Sequence, residues 1–260
     1  MDMSGVLKFL SGHDVKLRRY VVRALSGFRG EGFLAIVEKA LGDSDDEVRR
    51  VAASVLEEHG EADVLKLIVN ALGDKDNQVR YFAARALRNR KDADALDAIE
   101  NLLKSRSLEA RRSVAEALAG REDARSLALI EGLLNDLDEE VRHFAAQALI
   151  GRRDNGILPL IKRAMGSQDV KVRRDASHAL IGHQDAASLA LIVKALGDGD
   201  SEVRLAAVRA LGDRRDAASL VLIKQLLSNR DEEVRYGAEV AFRSRSKGRG
   251  FIGRIRDHFL

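Results

Sequence analysis

Residues 200–227 read DSEVRLAAVRALGDRRDAASLVLIKQLL, and this stretch decides the fold. Val203, Ala207 and Leu211 are spaced by four, and Leu220, Ile223 and Leu227 by three and four. That is the period of an amphipathic helix and not of a strand. Between the two runs the pattern stops at the polar stretch DRRDA, so the segment predicts a helix, a tight turn and a second helix. Working outward, Arg204 has counterparts at Arg18, Arg49, Arg80, Arg111, Arg142, Arg173 and Arg235, each 31 residues from the next without insertion or deletion. The residue before this arginine is Leu17, Val48, Val79, Ala110, Val141, Val172, Val203 or Val234. Nineteen positions after it stand Val37, Ile68, Ile99, Ile130, Ile161, Ile192 and Ile223. One helix pair cannot bury both of its apolar stripes, so pairs must stack on one another.

Helix starts carry chemical marks. Four residues before each repeat arginine stands Asp14, Asp45, Asp76, Asp138, Asp169, Asp200 or Asp231, with Ser107 in the remaining unit. These side chains accept from orphan backbone N–H groups and make good N-caps. The same aspartate lies one turn from the arginine, which predicts an i,i+4 ion pair and a ladder between neighbouring units. The second helices have matching starts at Asp92, Asp123, Asp154, Asp185 and Asp216.

A 31-residue unit of the form D-x-x-V-R-x-x-A-A-x-A-L, then D-A-x-x-L-x-x-I-x-x-x-L, resembles HEAT repeats. More narrowly it is similar to the HEAT-like repeats named after phycobilisome lyases. The resemblance implies an all-α, right-handed solenoid of about eight helix pairs, with first helices on the convex side and second helices lining the concave side. It is expected over residues 1–242, opening with a half-unit at 1–12 and running in register from 13. Residues 243–260 are expected to form an atypical basic capping helix or tail.

Composition narrows the chemistry. The 260 residues hold no Cys, which excludes disulfides, thiolate zinc sites and thiol nucleophiles. There is no P-loop, no H-E-x-x-H and no G-x-S-x-G. His178, His183 and Asp185 are close in sequence but are expected to be ordinary surface groups. Tyr20, Tyr81, Phe82, Phe144 and Tyr236 fall near first-helix starts and are expected to pack between repeats. No catalytic residue, metal or cofactor is expected. No segment is long and apolar enough to span a membrane or form a secretory core, which suits a cytoplasmic protein.

Charge supplies the candidate sites. The net charge is only +3, from 44 Lys+Arg and 41 Asp+Glu. Within-unit turns are rich in Arg90, Arg121, Arg152, Arg153, Arg214 and Arg215, which predicts a basic edge, while between-unit turns are acidic. On the second helices, Glu100 and Glu131 give way to Lys162, Arg163, Lys194 and Lys224, so the concave groove is expected to change sign along its length. The tail carries Phe251, Ile252, Arg254, Ile255, Arg256 and Phe259 on a basic amphipathic pattern that suits a cap, a partner or a membrane surface. The combination predicts a non-enzymatic scaffold whose groove binds a protein. A bilin lyase or chromophore-transfer chaperone is the alternative that the resemblance implies. Nucleic-acid binding along the arginine edge is a further alternative, less favoured because a polyanion needs positive charge along its whole track.

Overall fold

The computed structural model describes residues 3–246, apart from 26, 29, 31, 105, 106 and 155. The tail residues Phe251, Ile252, Arg254, Ile255, Arg256 and Phe259 lie outside the described residues. The chain divides into two compact units, Met1–Arg121 and Glu122–Leu260. Unit 1 holds α1 (Met3–Phe9), α2 (Val15–Arg23), α3 (Phe33–Leu41), α4 (Asp46–Val55), α5 (Val64–Ala71), α6 (Asn77–Asn89), α7 (Ala93–Leu103) and α8 (Leu108–Ala117). Unit 2 holds α9 (Ala124–Leu133), α10 (Glu139–Gln147), α11 (Ile157–Ala164), α12 (Val170–Ala179), α13 (Ala186–Leu196), α14 (Ser201–Asp213), α15 (Ala217–Leu226) and α16 (Glu232–Ser246). The fold class is all-α solenoid: no strand occurs among the described residues. α16 runs past the boundary expected at 242 and takes Arg243 and Arg245 into the helix.

First helices pack on first helices of the neighbouring repeat. In unit 1, α2 meets α4, α4 meets α6, and α6 meets α8; in unit 2, α10, α12, α14 and α16 follow one another in the same way. Small residues permit this approach. Ala52, Ala83, Ala145, Ala176 and Ala206 are fully buried at these contacts. The isoleucine column is likewise interior, with Ile68, Ile99, Ile130, Ile161, Ile192 and Ile223 all at 0% exposure. Leu17, in contrast, is exposed, because no described first helix precedes α2 to cover it.

The caps form as the sequence demands. Asp14, Asp45, Asp76, Ser107, Asp138, Asp169 and Asp200 each accept from backbone N–H groups of the helix they open. Asp92, Asp123, Asp185 and Asp216 do the same for second helices. Asp154 does not. α11 starts at Ile157 behind Gly156, and the Asp154 carboxylate accepts from Arg152 Nε at 2.9 Å instead. Pro159 explains the shift. It has no N–H to give a helix begun at 155, but in the first turn after Gly156 that donor would be unpaired anyway. Gly120, Gly151 and Gly182 adopt positive φ and end α8, α10 and α12, whereas Asn89 and Asp213 stand there in α6 and α14, which run on through it.

The ion-pair ladder exists, but its partners differ from the expected i,i+4 pairs. Arg49 is 4% exposed. Its Nη1 donates back to the carbonyl oxygens of Asp43 (3.0 Å) and Ser44 (3.3 Å), and its Nε and Nη2 grip Asp74 of the next repeat at 2.9 and 3.2 Å. Arg18 holds Asp43 in the same way, and Arg173 holds Asp198. Arg204 reaches Asp231 at 2.9 Å, since Asn229 occupies the usual carboxylate position. The accepting aspartates also close the between-unit turn: Asp74 takes the N–H of Asp76 at 2.8 Å. The cap aspartates pair with a second arginine, as in Arg50–Asp76 at 2.7 Å and Arg19–Asp45 at 3.1 Å. Position i−4 is spent on the helix N-terminus, so the guanidinium extends along the turn to the neighbour.

Removing one partner of a buried pair leaves a charge without compensation and costs about 3–5 kcal/mol, whereas an exposed pair contributes about 0–1 kcal/mol. Asp74→Ala is therefore expected to lower the urea midpoint of unfolding strongly. Asp46→Ala, which breaks only the exposed Asp46–Arg50 pair (2.9 Å), is expected to lower it slightly. Equal midpoints, followed by circular dichroism, would show that the ladder does not hold the repeats.

Candidate partner-binding faces

The expected basic edge is largely interior. Arg90, Arg121, Arg152 and Arg214 are 7%, 3%, 1% and 2% exposed, while Arg153 and Arg215 are exposed. The buried arginines occupy one repeat position and reach back one repeat. In unit 1, Arg90 donates to the Glu61 carbonyl at 3.0 Å, and Arg121 donates to the carbonyl of Arg90. In unit 2, Arg214 donates to the carbonyls of His183, Gln184 and Asp185, each at 3.0 Å, to Ser188 Oγ at 2.8 Å, and through Nε to Asp216 at 2.8 Å. All three nitrogens of that guanidinium donate inside the protein. Arg245 continues the series by donating to the Arg214 carbonyl. Arg90, Arg121 and Arg214 are consumed in covering carbonyl groups of the preceding turn, and Arg152 in holding Asp154, so four of the six no longer make a solvent-facing stripe.

Second helices carry the charges that remain available. In unit 2, Glu131, Lys162, Arg163, Lys194 and Lys224 are all exposed. Arg163 donates to Glu131 at 3.1 Å and to Asn135 at 2.5 Å. Lys162, Lys194 and Lys224 have no side-chain hydrogen bond or ion pair among the described residues. Val193 and Val221 stand beside them at 47% and 56% exposure. In unit 1 the same face is acidic, with exposed Glu38, Asp63, Asp94 and Asp97 and half-buried Glu100.

A pair of groups on the first helices of unit 2 carries no mark in a single repeat. His143 Nδ1 lies 2.9 Å from Asp175 Oδ2, with Asp175 4% exposed and Gln147 3.2 Å from the other imidazole nitrogen. Burial pushes the Asp175 carboxyl up, against the pull of His143 and Arg174. The pair joins adjacent positions of successive repeats, so only aligning the units would reveal it. His183 is buried and His178 half-buried, which corrects their expected place on the surface. Phe82 and Phe144 are half-buried, while Tyr20, Tyr81 and Tyr236 are exposed, at 72%, 39% and 48%, which corrects their expected packing between repeats. Their register positions lie on the outer turn of the first helix. Among the described residues no cluster of three or more His, Asp or Glu could hold a metal ion, and no helix is long and apolar enough to cross a membrane.

These repeated helix pairs define a solenoid repeat protein. The model of the family HEAT repeats matches residues 3–79, 65–150 and 157–243, so the chain belongs to the HEAT-repeat family. Among solved structures it is similar to the Escherichia coli protein YibA, at 20% identity and a TM-score of 0.54, covering 94% of this chain and 93% of that one. It also aligns with the CpcE and CpcF complex of phycocyanin lyase from Nostoc sp. PCC7120, at 21% identity and a TM-score of 0.44, covering 94% of each chain. Human deoxyhypusine hydroxylase aligns at 18% identity and a TM-score of 0.43, covering 95% of this chain and 96% of that one. The comparison with curated proteins gives no match.

The histidines make stability depend on pH. Burial, then Arg209 and Arg174, hold the His178 imidazole down at about 4. It is neutral in the fold, while the unfolded chain takes up a proton below the ordinary value of about 6.5. Its contribution therefore falls as pH drops from about 6.5 to about 4 and levels off below. His183, also lowered by burial, acts in the same sense, and Asp175 in the opposite one. The melting temperature is expected to fall between pH 7 and pH 4.5, and to fall less in His178→Gln. An identical fall in the variant would remove His178 as a cause.

Proposed function

We propose that this protein is a non-enzymatic scaffold that holds a protein partner against its second helices. One observation carries this reading. Four of the six turn arginines are spent internally, while Lys162, Lys194 and Lys224 stay exposed and without a side-chain partner among the described residues, beside Val193 and Val221. Cations around exposed aliphatic groups suit a protein segment that brings carboxylates and an apolar side chain together. Such charges steer encounter and select partners more than they add raw affinity. A uniform polyanion is served less well, because unit 1 presents carboxylates on the equivalent helices. The bilin-lyase alternative rests on fold likeness alone, and fold does not assign chemistry.

The test is affinity capture with the purified full chain and with Lys162→Glu/Arg163→Glu/Lys194→Glu. All three residues are exposed, so the variant is expected to keep its helical circular dichroism. A protein retained by the parent chain and released from the variant is the expected outcome. Equal retention by both proteins argues against this face. Chromophore attachment to an acceptor protein, on co-expression with a bilin, would replace the scaffold reading with the lyase one.

A further inference from the structure

Unit 1 contains an open cleft of about 540 Å³ on its second-helix side. Its floor is aliphatic: Leu34 from α3, Leu65, Leu67 and Val69 from α5, and Ala98 from α7. Its rim holds Glu38, Asp63 and Asp94, with Lys66 as the one cation lining it among the described residues. The rim carboxylates stand outside the frame that holds the turns of unit 1. Aspartates of the turns cap helices or bind arginines, but Glu38, Asp63 and Asp94 make no side-chain hydrogen bond or ion pair among the described residues. Asp63 precedes α5 without capping it, and Asp92, not Asp94, caps α7. The three charges are therefore not needed to hold a turn.

We infer that this cleft is the docking site for a basic amphipathic helix of a partner protein. Charge and shape point to the same occupant. Half-buried Leu34, Leu65 and Val69 offer apolar contact, and the unpaired carboxylates favour cations above it. Spacing gives the register. Asp63 and Asp94 are 31 residues apart and hold the same place in consecutive repeats. Packed helices stand about 8–10 Å apart. An α-helix rises about 1.5 Å per residue, so seven residues advance about 10 Å. Lysine or arginine at i and i+7 of the incoming helix matches the two carboxylates, and leucines at i+3 and i+4 fall over the aliphatic floor. The site is confined to unit 1, because the positions equivalent to Asp63 and Asp94 in unit 2 include Arg125, Ala187 and Ala218. It is distinct from the basic face of unit 2, so it stands or falls apart from the scaffold reading of that face.

The probe is a synthetic, fluorescently labelled helix-forming peptide with arginines at i and i+7 and leucines at i+3 and i+4, titrated into the full chain. Saturable binding is expected at low salt, with marked weakening at high salt. Asp63→Asn/Asp94→Asn is expected to weaken it by about tenfold or more, a difference of about 1.4 kcal/mol. Both residues are exposed and their side chains have no partner among the described residues, so that variant should fold, as circular dichroism will check. Lys162→Glu/Lys194→Glu in unit 2 is expected to leave peptide affinity unchanged. A photo-crosslinking side chain in place of Lys66 is expected to label the peptide. Absence of binding, equal binding by the Asp63→Asn/Asp94→Asn variant, or equal binding of a peptide with glutamates in place of the arginines would overturn the inference.

Discussion

The buried guanidinium that joins one repeat to the next is the constraint on which the rest of the structure depends. A chain that turns every dozen residues leaves carbonyl groups at helix ends and in turns without partners. Burying such groups unpaired is costly, and burying a cation unpaired is costlier. Arg49 and Arg214 meet both needs at once. Each fills its planar fork with backbone oxygens and one carboxylate, and each crosses a repeat boundary to do so. The stack within each unit is therefore held by directional bonds as well as by apolar contact. Apolar contact alone specifies register weakly where alanines face alanines. A slip of one helical turn would keep alanines covered, but it would move each carboxylate away from its arginine.

This use of charge explains why a near-neutral, charge-rich chain is a poor guide to its own surface. Many of its charged side chains belong to the frame. An arginine in a polar turn looks exposed when the turn is read by itself, since nothing in DRRDA shows that the preceding repeat lies over it. A signal was present nonetheless. The position of Arg214 is held by His59, Arg90, Arg121, Arg152, His183 and Arg245 in other repeats, with Phe28 as the exception in the first, and the residue two places on is acidic in most of them. A cation that keeps its place and its acidic neighbour from repeat to repeat is being held by something structural. The doublet partners Arg153 and Arg215 do not keep their place, and they are the exposed ones.

Most of the fold was legible for the same reason. Local chemistry writes helix starts plainly: an aspartate before an apolar run, repeated at a fixed period, has few other uses. The period also identified the interior isoleucine column. Legibility ended where two repeats had to be superposed in space. The arginine was matched with the aspartate one turn away because spacing along a single helix is visible in the chain. Its actual partner, 25 residues on, is a neighbour only after stacking. The His143–Asp175 pair was hidden in the same way, and Asp154 was misjudged because Pro159 overruled the cap.

Separating frame from surface also marks the positions on which the proposed recognition rests. The repeat arginine is invariant through eight units, whereas the position twenty residues after it reads Glu38, Val69, Glu100, Glu131, Lys162, Val193 and Lys224. A position free to change sign is one that the fold does not need. In unit 1 such positions, with the unpaired Asp63 and Asp94, border an aliphatic cleft; in unit 2 they present lysines beside exposed valines. Each repeat contributes only one or two such side chains. On the proposed scaffold reading, a bound segment is selected by the order of charges along several helices, not by one dominant contact. That arrangement keeps stability and specificity on different residues, so the recognition surface can vary while the arginine frame beneath it stays the same.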